Sequence, residues 1–157
     1  MFTGIVATSA PVTGAELTDG IMRLVIDTPD GFTAGLQRGA SIAVNGVCLT
    51  VVEWTDSHLA FDVIDESLRR SNPGEITPSS RVNLERAARV GDEIGGHLLS
   101  GHVHTQAEVI DIETDEGNLA LVLRIGEEWT PYVISKGYIA INGCSLTIGA
   151  VLDDRFW

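Results

Sequence analysis

The sequence predicts an all-β protein with an internal duplication: two sister domains, each a small barrel of short strands, the second one cut short. Two observations carry this. The chain repeats itself at an offset of 97 residues, and the first copy breaks into about six short β-rich runs separated by turn signals.

The repeat is clearest around two Asn-Gly pairs. SIAVNGVCLTVV, from Ser41, returns as YIAINGCSLTIG, from Tyr138. Asn45, Gly46, Cys48, Leu49 and Thr50 fall on Asn142, Gly143, Ser145, Leu146 and Thr147, and Ile42-Ala43 falls on Ile139-Ala140. At the same offset FTGIV, from Phe2, becomes LSGHV, from Leu99. Two separated matches at one offset indicate a duplicated domain. A solenoid would repeat every 20–50 residues or so.

Element by element, MFTGIVATSAPV is a β-rich opening. IMRLVIDT mixes apolar and polar residues as a half-buried strand does. SIAV and CLTVVEW flank Asn45-Gly46, a strong hairpin signal because both turn positions need positive φ. HLAFDVI and RVNLER are two further strands, and DESLRRSN between them is expected to form one helical turn, stopped at Asn72-Pro73-Gly74. Short strands at this spacing favour a closed barrel, because closure removes unpaired edges. The second copy begins near Gly96, and aligning Phe61 with Phe156 leaves it without its last third. The expected domains are 1–94 and 95–157, joined at Gly95-Gly96, in what reads as a partial version of a longer chain.

The 157 residues carry 44% apolar residues, enough for a packed core, and a net charge of −12. That charge repels phosphate backbones and argues against nucleic-acid binding. No apolar run reaches 18 residues and the N-terminus does not read as a signal peptide, so neither a membrane span nor export is expected. The expected setting is cytoplasmic, with Cys48 and Cys144 as free thiols and a disulfide between them disfavoured.

The residues just after each Asn-Gly turn are the candidate site. Cys48 and Thr50 alternate with Leu49 and share one strand face, and Ser145 and Thr147 repeat the arrangement. In a single copy such residues read as small core positions. In both copies they suggest paired pockets lined by a thiol, hydroxyls and backbone amides. His97, His102 and His104 lie in GGHLLSGHVHTQAE. His102 and His104 share a strand face and His97 does not, so acid–base or positioning roles fit better than zinc, and no metal is expected. Gly95-Gly96 lacks the spacing of a phosphate loop. DIETDEGN, from Asp111, reads as a solvated hairpin turn rather than a calcium loop. Trp54, Trp129 and Trp157 read as packing or surface residues.

Taken together, MFTGIV, SIAVNGVCLTVV, FDVIDESL, VNLERAARVGDEIGGHLLSGHV and YVISKGYIAINGCSLTIGAV resemble the riboflavin synthase family, single-chain α type, from residue 1 to the end of the chain. The resemblance implies two tandem six-stranded Greek-key barrels related by a pseudo-twofold axis, then a C-terminal helix that assembles a homotrimer. It implies a dismutation in which one 6,7-dimethyl-8-ribityllumazine donates a four-carbon unit to another, yielding riboflavin and a ribitylamino-pyrimidinedione, without metal or external cofactor. Each barrel would hold one ligand, with the active site between subunits. Bringing two ligands together removes up to about 7–11 kcal/mol of entropic barrier in favourable cases.

Carried over by position, the first pocket would use Gly4, Ile5, Val6, Cys48, Leu49, Thr50, Asp62, Val63, Ile64, Asp65, Glu66 and Ser67, with Phe2 and Ser41 nearby. The second would use Gly101, His102, Val103, Lys136, Ser145, Leu146 and Thr147. His102, Cys48 and Ser41 are the candidates for proton handling or nucleophile delivery. The chain departs from the family pattern at Asn142, often Asp, which removes a carboxylic acid there, and at His104-Thr105, often Asp-Gly. Without the final second-barrel contacts, weak or absent turnover is expected of a chain ending at Trp157. The competing expectations are an antenna-type lumazine- or flavin-binding protein of the same fold and an interaction module without a ligand.

Overall fold

The computed structural model describes residues 1–64, 76–115 and 117–157. The expected helical turn in DESLRRSN lies outside the described residues.

Six strands form the first half: β1 (Thr8–Thr18), β2 (Ile21–Asp27), β3 (Ser41–Val44), β4 (Val47–Trp54), β5 (His58–Ile64) and β6 (Arg81–Arg86). They close into an antiparallel barrel in the order β1-β2-β5-β4-β3-β6. β3, β4 and β5 follow one another as hairpins, and β2 returns to lie beside β5, a Greek-key path. The opening phrase is less regular than its composition suggests. β1 starts only at Thr8, and before it Phe2 alone pairs, with Leu99.

The alternation along β2 shows why this stretch is a strand. Met22, Leu24 and Ile26 point into the barrel while Ile21, Arg23, Val25 and Asp27 point out or sit part-exposed. Leu24, Ile26, Ile42, Leu59, Phe61 and Leu84 are almost completely buried in one cluster, each side chain contributing about 1.5–3 kcal/mol by leaving water.

The second half repeats this register. β8 (Asn118–Arg124) and β9 (Tyr138–Ile141) lie 97 residues after β2 and β3, and β7 (Glu108–Asp115) pairs with β8 as β1 does with β2. β10 (Cys144–Thr147), β11 (Val151–Leu152) and β12 (Arg155–Phe156) follow, with a 3-10 helix at Glu127–Tyr132 that the sequence reading did not foresee. These strands form a β9–β10 pair and a sheet ordered β11-β12-β8-β7 rather than a closed barrel. Their core is smaller: Leu123, Ile125, Val133, Ile148 and Phe156. DIETDEGN forms the β7–β8 hairpin as expected, with Glu116 outside the described residues.

Register corrects the expected alignment of Phe156 with Phe61. Phe156 pairs with Leu123 of β8 as Leu59 pairs with Ile26 of β2, so Phe156 stands at the position of Leu59. Both are buried, and an apolar side chain is what the two positions share.

Where the halves meet, residues touch their own equivalents at the 97-residue offset. Phe2 and Leu99 exchange two backbone hydrogen bonds, of 2.8 and 2.9 Å. Gly46 and Gly143 pack so closely that a Cβ on either would lie 2.8 Å from the other's backbone nitrogen. Both Asn-Gly pairs have positive φ throughout, 49° and 84° in the first and 52° and 83° in the second. Asn83 of β6 ties the two turns together: its backbone N–H donates to Asn45 Oδ1 at 2.8 Å and its side-chain amide donates to the Asn142 carbonyl at 3.0 Å.

Candidate functional site: two crossed strand-end clusters

The segments before β1 and before β7 cross over. The Cys48 N–H donates to the carbonyl of Gly101, and the Ser145 N–H donates to the carbonyl of Gly4, each at 2.8 Å. Each arm thus lies against the Asn-Gly strand of the opposite half. This overturns the expected grouping, which put Gly4, Ile5 and Val6 with Cys48 and put Gly101, His102 and Val103 with Ser145. The two copies offer the same hydrogen-bond partners, so sequence position alone does not tell which arm meets which strand.

Both contacts require glycine. Gly4 and Gly101 have φ of 75° and 79°, and a Cβ would lie 2.7 Å from Ser145 Cβ in one case and 2.6 Å from Cys48 Cβ in the other. Each arm is shaped by the hydroxyl before its glycine. Thr3 Oγ1 accepts from the Ile5 N–H at 3.2 Å, and Ser100 Oγ accepts from the His102 N–H at 3.1 Å. The first arm is further held by Glu85 on β6. This buried carboxylate accepts from the Thr3 N–H at 2.6 Å, the Thr3 hydroxyl at 2.7 Å and the Gly4 N–H at 3.0 Å. Nothing in the sequence pattern signals that role, because Glu85 occupies a strand position otherwise read as exposed.

The first cluster centres on Cys48. Ser41 faces Thr50 and Ala43 faces Cys48 across β3 and β4, so Ser41, Cys48 and Thr50 share a face. That face points out of the barrel, since the intervening Leu49 is only 5% exposed and sits in the core. Gly101 covers Cys48, His102 follows exposed, and Val103 packs against the barrel core. Phe2 is buried here, its ring 2.9 Å from where a Gly101 Cβ would stand. On β5, Asp62 and Ile64 are exposed whereas Val63 is fully buried. The side chains of Phe2, Leu49 and Val63 belong to the packed interior rather than to the open face. Asp62 accepts a 2.9 Å hydrogen bond from Arg23, which also pairs with Glu53. That bond, aided by both carboxylates, holds the Arg23 pKa above its ordinary value. Asp65, Glu66 and Ser67 lie outside the described residues.

The second cluster centres on Ser145. Gly4 covers it, Ile5 is exposed and Val6 part-buried, and Thr147 stands two residues on along β10. Leu146 is 40% exposed, unlike its buried equivalent Leu49. Lys136 is exposed and adopts φ of 66°, at the register position of Gly39, whose φ is 78°. A lysine in the left-handed region costs strain that glycine would not.

Two residues outside the pockets carried over from the family join this cluster: His97, one of the three histidines read as acid–base or positioning groups, and Tyr138, which that reading did not name. His97 Nδ1 lies 2.6 Å from Ser145 Oγ, and the Tyr138 ring lies 4.3 Å from the imidazole. Burial pushes the His97 pKa below its ordinary value, so the ring is neutral at neutral pH. Tyr138 was findable as the equivalent of Ser41 at the 97-residue offset. The three clustered histidines separate in space: His97 lies against Tyr138, His104 against Trp129 at 5.7 Å, and His102 on the Cys48 side. Among the described residues no three His, Cys, Asp or Glu side chains converge as a metal site, and no helix is long and apolar enough to cross a membrane.

Both clusters are open faces. Two shallow depressions of about 580 and 560 Å³ lie elsewhere, one lined by Glu127, Thr130, Asp153 and Asp154, the other between Thr3 and Arg86–Glu93. Their volume marks open grooves, and the repeated Cys48 and Ser145 geometry is the better guide to function.

Comparison with known proteins gives this geometry a class. The family model "Lumazine binding domain" matches twice, at residues 3–87 and 100–157, the two matches starting one repeat apart. Solved structures of LumP complexed with riboflavin and with 6,7-dimethyl-8-(1'-D-ribityl) lumazine superpose with TM-scores of 0.89 and 0.86, at 28% identity, over 99% of this chain and 84% of theirs. Riboflavin synthase of Escherichia coli strain K12 is 43% identical over 99% of this chain and 74% of its own length. That of Mycobacterium tuberculosis strain H37Rv is 44% identical over all of this chain and 79% of its own length. The chain belongs to the riboflavin synthase family of lumazine-binding β-barrel proteins.

Proposed function

We propose that the chain binds 6,7-dimethyl-8-ribityllumazine at the Cys48 and Ser145 clusters and takes part in the dismutation of two such molecules to riboflavin and a ribitylamino-pyrimidinedione. The observation that carries this reading is the crossed pair of clusters: one backbone contact, one glycine and one small polar side chain, built twice. Two equal ligands call for two equal cradles, and a reaction between them needs the cradles brought face to face. Because both clusters lie on outward faces, the reacting pair would form between clusters of neighbouring subunits, in a homotrimer.

In this reading the second half follows the same six-stranded Greek-key plan, and residues 1–94 and 95–157 are the two domains, each lending its arm to the other. Cys48, Ser41 and His102 sit where proton transfer from the acidic C7 methyl of one lumazine, or delivery of a nucleophile to C7 of the other, would be needed. Gly4, Gly101, Leu49, Leu146 and Val63 would shape the two cradles, with Ile5, Val6, Val103, Thr50, Thr147, Ile64, Asp62 and Lys136 around the ring.

A second reading, an antenna protein that binds lumazine or flavin without turnover, is favoured by the 0.89 superposition on LumP bound to riboflavin. The higher identity to the synthases favours the enzyme. Mixing the protein with the lumazine separates the readings. Growth of riboflavin absorbance and green fluorescence supports the synthase, a shifted lumazine spectrum without riboflavin supports the antenna, and an unchanged spectrum sinks both.

A further inference from the structure

The two clusters share one plan, and one difference between them lies at the small polar side chain itself. At Ser145 an imidazole stands within hydrogen-bond distance of the hydroxyl, flanked by an aromatic ring. At Cys48 the register position of Tyr138 is held by Ser41, with no ring.

The main chain that carries the imidazole is anchored. The Glu85 carboxylate holds the Thr3 N–H and hydroxyl, and the Thr3 carbonyl accepts from the backbone N–H of His97 at 3.0 Å. Gly96 lets the chain pass, since a Cβ there would lie 2.1 Å from the Thr3 carbonyl oxygen and 2.8 Å from Ser145 Cβ. A chain of contacts thus runs from β6 of the first half through the N-terminal arm and His97 to Ser145 of the second half. Glu85 already accepts from three donors of that arm, and Tyr138 meets His97 through its ring.

We propose that His97 is a positioning residue that fixes the direction of the Ser145 hydroxyl, so that the Ser145 cluster holds its ligand in one orientation and is functionally unlike the Cys48 cluster. The proposal rests on the lumazine reading above. A neutral imidazole offers one donor and one acceptor nitrogen. Bound to Ser145 by Nδ1, it makes the serine hydroxyl either the donor or the acceptor toward the ligand instead of leaving it to rotate.

The test uses the full chain as wild type, His97→Ala, His97→Asn, Ser145→Ala and the His97→Ala/Ser145→Ala double variant. Titration with 6,7-dimethyl-8-ribityllumazine reads the affinity of each class of site, and ¹⁵N NMR of the histidine rings reads the His97 tautomer. Three binding results are expected. His97→Ala and Ser145→Ala each weaken one class of site about five- to ten-fold and spare the other. The double variant is no weaker than either single one. His97→Asn, whose side-chain amide can replace Nδ1, stays within about two-fold of wild type. Ser145→Ala should also shift the His97 Nδ1 resonance in the unliganded protein. Additive losses, equal weakening of both classes, or a His97→Asn variant as weak as His97→Ala at an unchanged melting temperature would overturn the positioning role alone. A wild type that binds no lumazine would overturn the ligand reading and this proposal with it, whatever the NMR shows of the contact.

Discussion

Glu85 is the residue on which the N-terminal arm depends most. Its carboxylate satisfies three donors in a buried setting, so Glu85→Ala leaves them without partners at roughly 1–3 kcal/mol for each group stranded. A stability loss of about 3 kcal/mol or more by urea denaturation is expected, with Glu85→Gln milder because its amide oxygen still accepts. Gly4→Ala should cost more than the roughly 1 kcal/mol of a left-handed alanine, because the added carbon also meets Ser145. His97 sets a pH dependence. Burial holds its folded pKa below the roughly 6.5 of a free imidazole, so the unfolded chain takes up the proton first as pH falls. Its contribution to stability is therefore complete above about pH 6.5 and declines below it. Melting curves between pH 5 and 8 should show that decline in wild type and less of it in His97→Asn.

At the scale of elements, the two Asn-Gly hairpins behave as one unit. Their turns were legible in the sequence because positive φ at two consecutive positions leaves few residue choices. Their mutual packing was not legible, because Gly46 and Gly143 are glycines for a second reason: each backbone occupies the space of the other's missing side chain. Gly46→Ala and Gly143→Ala should each destabilise, and the double variant should lose less than the sum, since either added Cβ forces the same two turns apart. Leu24→Ala in β2 should cost about 2–5 kcal/mol in chemical denaturation, as expected for a fully buried leucine of a closed barrel. The strands of the first half and their closure followed from short runs and turn spacing, whereas the 3-10 helix at Glu127–Tyr132 has no amphipathic period that would have announced it.

Across the whole molecule, the barrel of β1 to β6 closes on its own strands while its outer face is completed by the other half. A fragment of residues 1–94 is therefore expected to fold with the barrel intact but to lose the cover over Cys48. Hydrogen exchange would show it: the Cys48 amide, bonded to Gly101 in the full chain, should exchange far faster in the fragment while the amides of Leu24 and Leu59 stay protected. Equal protection of Cys48 in both would contradict the crossed arrangement. The same crossing joins the two clusters mechanically through Phe2 and Leu99, which lie between them.

By itself the sequence determined the duplication, the strands, the tight turns and the small polar residues after them, because each is a local property: a period, an alternation or a backbone angle that few residues tolerate. Only the tertiary structure decided that the arms exchange between halves, that Cys48 and Thr50 face outward while Leu49 and Val63 face the core, and that His97 meets Ser145. The physical reason is the likeness of the copies. Exchanged and unexchanged arms would satisfy the same hydrogen bonds, so the choice falls to the packing of Gly96 against Thr3 and of Gly46 against Gly143.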